Sequence, residues 1–201
     1  MDYRGNLEVF TEHQLSGHLC FAYESLHEHI EVLTPFLLQG LKRRAKVIYI
    51  VDNHPAREIL SYFWRIGVNP DLYLASGQLV ILNRYETYIQ QESFSPDQML
   101  AFVQLEIDRA VREGYSGLVA TGEMTWALRG YPGSERLVEY EMRLNEFILK
   151  NNNSLCLCQY NRHHFDSRLI DEIMALHPLI ILGNKIFDNP YYLPPKLYQA
   201  N

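Results

Sequence analysis

The sequence predicts an α/β fold of three layers, with a mostly parallel central sheet between two layers of helices, and three observations lead there. Short apolar runs alternate with stretches of helical periodicity, which is the pattern of successive β-α-β units. The runs are nearly continuous in apolar residues, as strands covered on both faces require. The 201 residues show no internal repeat and no linker, so a single domain over 1–201 is expected, long enough to bury about 70% of the surface its unfolded chain exposes.

The elements follow in order. HLCFAY (18–23) is the first strand, and behind it Leu26, Ile30, Leu33, Leu37 and Leu41 share one helical face, with Ser25 and Glu28 spaced as a capping box. KVIYIV (46–51) is the second strand, and its helix should run from near Pro55 toward Ile66, with Gly67 just past the end. QLVIL (78–82) is the third. SPDQ (95–98) then supplies a Ser N-cap, a Pro at the first helical position and a Gln three residues after the cap, so a helix to about Glu113 is expected, stopped by Gly114. GLVATG (117–122) is followed by a helix over roughly 135–150, SLCLCQY (154–160) by one over 167–176, and LIILG (179–183) closes the series. The tail FDNPYYLPP (187–195) has too much Pro and Tyr for a helix and reads as an extended arm or edge.

Composition narrows the function classes. Ordinary hydrophobic and charged content with a net charge of −6 gives no basic face for nucleic acid. The one basic cluster, KRRAK (42–46), sits where positive side chains complement a helix C-terminus. Neither end carries a signal peptide or an apolar run near 18 residues, and three cysteines cannot all pair within the chain. A reducing cytoplasm is therefore the expected compartment, with no membrane and no direct nucleic-acid partner.

In open parallel sheets ligands bind beyond the carboxyl ends of the strands. Here those ends offer Tyr23 and Glu24 after the first strand and Asp52, Asn53 and His54 after the second. Glu123, Thr125 and Trp126 follow the fourth, and Tyr160, Asn161, His163 and His164 the fifth. Such a rim of rings, carboxylates and imidazoles suits a small organic molecule or a metal. The first turn, YESLHEH, lacks the glycines and lysine of a phosphate loop, and neither G-x-S-x-G nor H-E-x-x-H occurs, which removes the common hydrolase chemistries. Glu123, straight after a buried strand, is either a polar anchor for a ligand or a carboxylate bonded to nearby backbone or Arg129. Trp126 is either a stacking wall or core filling under the RGYPGS loop. His27 and His29 are expected on the exposed side of a helix start.

SLCLCQYNRHHF (154–165) concentrates soft and polar donors. On a strand Cys156 and Cys158 share a face with Cα atoms about 6.5–7 Å apart, too far for a ready disulfide. Structural zinc sites favour C-x₂₋₄-C, so no metal is expected; a metal, if present, would draw on Cys158, His163, His164 and His177. The ligand-binding candidates are Tyr23, Glu24, Glu123, Trp126, Cys158, Tyr160 and His163; no residue is assigned a catalytic role, and the sequence requires no cofactor.

The order of GHLCFAYES (17–25), GQLVIL (77–82), GYSGLVATGEMTWAL (114–128), LVEYEMRLN (137–145), LCLCQYNRHHF (155–165), HPLIILGN and NPYYLPP resembles the MEDS domain, the sensory domain named for methanogens, methylotrophs and the regulator DcmR. The resemblance spans roughly 15–195. It implies a sensor of hydrocarbon derivatives or one-carbon metabolites, acting in signal transduction or transcription through a regulatory partner or self-association, and a RecA/KaiC-like core without its phosphate loop. YESLHEH would stand at the place of that loop, and LVATGE at the end of the acidic strand. The alternatives are a nucleotide-binding protein that keeps residual ATP binding, and a self-assembling interaction module.

Overall fold

A computed structural model describes residues 16–151 and 153–194. One sheet holds β1 (Gly17–Tyr23), β2 (Lys46–Val51), β3 (Leu79–Asn83), β6 (Leu118–Glu123), β7 (Ser154–Asn161), β8 (Leu179–Leu182) and β9 (Lys185–Asp188) in the order β3-β2-β6-β7-β1-β8-β9. Every pairing is parallel except β8 with β9. The helices are α1 (Leu26–Lys42), α2 (Ala56–Arg65), α3 (Pro70–Ser76), α4 (Pro96–Arg112), α5 (Leu137–Lys150) and α6 (Ser167–Ala175), and a two-stranded hairpin of β4 (Ile89–Gln90) and β5 (Ser93–Phe94) precedes α4.

The alternation of each strand sorts its side chains into two cores, which makes the three layers. Val47 and Tyr49 of β2 and Leu155 and Leu157 of β7 pack with Leu33, Phe36, Ile59 and Phe63 from α1 and α2. Their neighbours Ile48, Ile50, Cys156, Cys158 and Tyr160 pack on the other side with Val103, Tyr140, Leu144 and Ile173 from α4, α5 and α6. Each fully buried Leu, Ile or Phe contributes about 1.5–3 kcal/mol, so both faces are needed to hold the sheet.

Helix starts follow their caps. The Ser95 hydroxyl accepts from the Gln98 N–H at α4, and the Ser25 hydroxyl accepts from the Glu28 N–H at α1. The second half of the α1 box differs from expectation: the Glu28 carboxylate accepts from the Glu24 N–H, one residue before the cap. The helix expected from 135 begins at Leu137, after a 3₁₀ turn over Ser134–Arg136. Helix α3 was not expected, although Asn69 caps it, Pro70 opens it and Gly77 ends it in a left-handed conformation. Only the first two residues of the tail, Phe187 and Asp188, belong to the edge strand β9; beyond it Asn189 ties the tail down by donating to the carbonyls of Met174 and His177. Pro195, the last residue of the tail motif, lies outside the described residues.

His29 corrects the sequence reading. It is fully buried, not exposed: Nε2 lies 2.6 Å from Gln159 Oε1, and the ring packs 4.6 Å from Tyr23. His27, two residues earlier, points to solvent.

Candidate functional site

At the carboxyl ends of β2 and β6, Glu123 is buried and already occupied. One carboxylate oxygen accepts from the Tyr49 hydroxyl at 2.6 Å, the other from the N–H groups of Asn53 at 2.5 Å and His54 at 2.9 Å. Burial opposes its ionisation, but the donors of His54 and Tyr49 outweigh that and hold the carboxyl below its usual range. The His54 ring, whose Nδ1 lies 3.4 Å from Glu123, is raised above the ordinary imidazole value chiefly by that side-chain interaction with the carboxylate. His29, stacked 4.6 Å from His54, is pushed down to about 4, chiefly by burial. Donor atoms of His29, His54 and Glu123 lie close enough to hold a cation. Nδ1 of His29 and of His54 are buried without a hydrogen-bond partner, but the Glu123 carboxylate already accepts three hydrogen bonds, and these make it the clasp that closes the turn from β2 into α2.

A neighbouring carboxylate shapes the open part of the site. The Asp52 side chain is fully buried and accepts from Arg84 at 2.6 Å, from Thr125 at 2.6 Å and from two nitrogens of Arg129 at 2.9 and 3.1 Å. Arg129 ends the 3₁₀ turn Met124–Arg129 that leaves β6, so this cluster pins the segment that follows. A second pin lies at Gly133, whose φ is +89° and where an added Cβ would sit 2.1 Å from the Phe94 carbonyl oxygen. Between this pinned segment and the start of α6 opens a cleft of about 460 Å³, lined chiefly by Leu128, Tyr131, Leu137, Val138, Phe165 and Leu169, with Ser134 and Glu135 as polar groups. Its size falls in the range of small-molecule sites, and it lies beyond β6 and β7, where open parallel sheets place their ligands.

The structure disperses the candidates named from sequence. Tyr23 and Glu123 share the α1/α2 side, where the Tyr23 ring lies 6.0 Å from His54. Glu24 is exposed before α1, and its N–H is taken by Glu28. Trp126 fills the core, stacked 4.8 Å from Tyr88 and tilted against Phe94 at 4.3 Å. Cys158 and Tyr160 are buried on the opposite face of the sheet against Glu141, which accepts from the Tyr160 hydroxyl and lies 3.3 Å from Cys158 Sγ. His163 and His164 project into solvent from the turn after β7. The three cysteines are free and buried. Sequence reasoning missed the cleft residues because most are ordinary apolar positions; the run RGYPGS, with Gly130 and Gly133 on either side of Tyr131 and Pro132, was the available signal for a shaped loop there.

The family model of the MEthanogen/methylotroph, DcmR Sensory domain (MEDS) matches residues 17–178. The chain is also similar to the transcriptional repressor DcmR of Methylorubrum extorquens, with 25% identity over 164 residues that make up 80% of this chain and 57% of the repressor, so the chain spans little more than half of that relative. Among solved structures it resembles a KaiC-like protein of Pyrococcus horikoshii OT3, with a TM-score of 0.55, 11% identity, and coverage of 83% of this chain and 70% of the other. An uncharacterized Pyrococcus horikoshii protein solved with an unknown peptide gives 0.61 at 15% identity, with 82% and 76% covered. The flagellar accessory protein FlaH of Methanocaldococcus jannaschii gives 0.53 at 12% identity, with 86% and 75% covered. At such identities the structural likeness establishes the KaiC/RecA-like fold, three-layered around a mostly parallel sheet. No helix among the described residues is long and apolar enough to cross a membrane.

Proposed function

This chain belongs to the MEDS family, and on that premise we propose that it is a sensory domain whose small organic ligand occupies the cleft beyond β6 and β7. The single observation that carries the reading is the cleft of about 460 Å³ with its apolar lining. The ligand class is a short hydrocarbon derivative with a polar group: the lining rewards apolar surface, while Glu135 and the Tyr131 and Ser134 hydroxyls, which already bond to Tyr85 and to the Tyr131 carbonyl, are the polar groups among it. The role is regulatory, consistent with the similarity to a repressor, and the output passes through a partner protein or a second copy of the chain.

Against the nucleotide-binding reading stands the start of α1. Its free N–H groups would suit a phosphate, but the Ser25 hydroxyl already takes the Glu28 N–H, and the Glu28 carboxylate, bonded to the Glu24 N–H, sets a negative charge at the same helix start.

The test is thermal unfolding of the chain with a panel of short-chain alcohols, carboxylic acids and halogenated alkanes. A panel member at about 100 times its Kd stabilises by about 2.7 kcal/mol, a rise of roughly 5–11 °C for a chain of this size. Val138→Trp fills the cleft and should abolish the rise. A full-size rise in that variant, or no rise with any panel member, would overturn the assignment.

A further inference from the structure

On the α4/α5/α6 side of the sheet, four ionisable side chains meet away from water. His18 comes from β1, Glu141 from α5, Cys158 from β7 and His177 from the turn between α6 and β8; all are buried, and one donor atom from each lies within 4.8 Å of the others. We propose that these four side chains form a binding site for one divalent transition-metal ion, zinc by its chemistry, held by His18 Nε2, His177 Nε2, Cys158 Sγ and a Glu141 oxygen. The proposal does not depend on the ligand-binding reading of the cleft.

Spacing is the first support. Zinc bonds of about 2.0–2.3 Å in a tetrahedron place neighbouring donors about 3.3–3.8 Å apart. From Glu141 Oε2 the distances are 3.2 Å to His18 Nε2, 3.4 Å to His177 Nε2 and 3.3 Å to Cys158 Sγ, and Cys158 Sγ lies 3.5 Å from His18 Nε2. Four of the six donor–donor distances are thus close to the edge length of such a tetrahedron, and the two from His177 to His18 and Cys158 are within 4.8 Å.

Unmatched lone pairs are the second support. His177 Nδ1 lies 2.8 Å from the Ile173 carbonyl oxygen, which can only accept, so Nδ1 carries the hydrogen. In the uncharged ring Nε2 is then a bare lone pair; it has no hydrogen-bond partner and faces a carboxylate oxygen. Two acceptors face each other in a dry interior, an arrangement that a cation between them relieves. A proton on His177 Nε2 would answer that one contact, but protonating both imidazoles would place two cationic rings 4.0 Å apart with no water to screen them, whereas one divalent ion takes lone pairs from all four side chains.

Charge and surroundings agree. A thiolate and a carboxylate cancel the charge of a divalent ion, so the loaded site is neutral, as burial demands. Ile173 fixes the His177 tautomer, and the Tyr160 hydroxyl donates to the other Glu141 oxygen, the kind of outer contact that orients metal ligands.

The experiment uses the untagged full chain. Metal analysis should find about one zinc ion per chain, and cobalt exchanged into the site should show thiolate-to-metal charge transfer with tetrahedral d–d bands. Cys158→Ser and His177→Gln should remove those bands. Tyr160→Phe, which keeps all four donors, should weaken metal affinity roughly 10- to 100-fold. Cys156→Ala, on the same strand face but outside the cluster, should leave the spectrum unchanged. A wild-type chain that carries no metal as purified and takes up neither zinc nor cobalt would overturn the proposal, whatever the variants do. So would a cobalt spectrum that survives unaltered in Cys158→Ser.

Discussion

Replacing Glu123 by Gln tests whether this carboxylate clasps the turn from β2 into α2. Glu123 accepts from a buried hydroxyl, Tyr49, and from two successive backbone N–H groups, those of Asn53 and His54. An amide has one accepting oxygen, so Gln can serve Tyr49 or the turn, and its NH₂ faces a donor on the side it abandons. A stranded buried donor costs about 1–3 kcal/mol, and the bonds that survive lose their charge assistance, so a total near 3 kcal/mol is expected. For a chain of this size that corresponds to a fall in Tm of roughly 6–12 °C. Urea unfolding at neutral pH of wild type, Glu123→Gln, Tyr49→Phe and the double variant measures both the loss and the coupling. The two substitutions should be non-additive by about 1 kcal/mol or more, since they remove one shared bond. A loss below about 1 kcal/mol for Glu123→Gln, additive with Tyr49→Phe, would refute the clasp.

Three further outcomes follow from the same surroundings. His29, held near a pKa of 4 against about 6.5 when unfolded, contributes stability that is complete above pH 6.5 and is lost as the pH falls toward 4, by about 3 kcal/mol at most; His29→Gln should lessen the slope of the wild-type stability–pH curve across that window, with the buried His18, lowered to about 4 as well, retaining part of it, and parallel curves would contradict the assignment. Gly133→Ala should cost about 2–4 kcal/mol in denaturant unfolding, because a side chain there meets both a positive φ and the Phe94 carbonyl, whereas Gly130→Ala, with open space around it, should cost about 1 kcal/mol. Asp52→Asn should destabilise by about 2–4 kcal/mol and speed proteolysis within 124–134, since Arg84 and Arg129 lose the carboxylate that pins this segment; unchanged cleavage would count against the pin.

The central strands were legible because burial on both faces writes them as unbroken apolar runs, and the caps at Ser25 and Ser95 located two helices to within a residue. Helix α3 carried signals of the same kind at Asn69, Pro70 and Gly77, but its seven residues are too few for helical periodicity to register. His29 was misplaced because helical spacing does not reveal what lies above a helix start; a glutamine 130 residues away supplies its partner. The donors around Glu141 were hidden for the same reason. Spacing says only that Glu139 and Glu141 point different ways, and a rule such as C-x₂₋₄-C finds ligands on one turn, not one donor from each of four segments. Cys158 and His177 stood among the metal candidates read from the sequence. His163 and His164 did too, but the turn after β7 carries them outward, with the His164 N–H closing onto the Asn161 carbonyl at 3.0 Å.

The claim that the cleft beyond β6 and β7 is the sensory site is tested most directly by methyl NMR of isotope-labelled Ile, Leu and Val side chains during titration with a compound that raises the Tm. The account predicts shifts at Leu128, Leu137, Val138 and Leu169, with Leu33, Leu37 and Ile59 on the other face of the sheet unmoved. Shifts confined to Val51 and Ile59, near Glu123 and His54, would contradict it and move the ligand to the opposite side of the sheet.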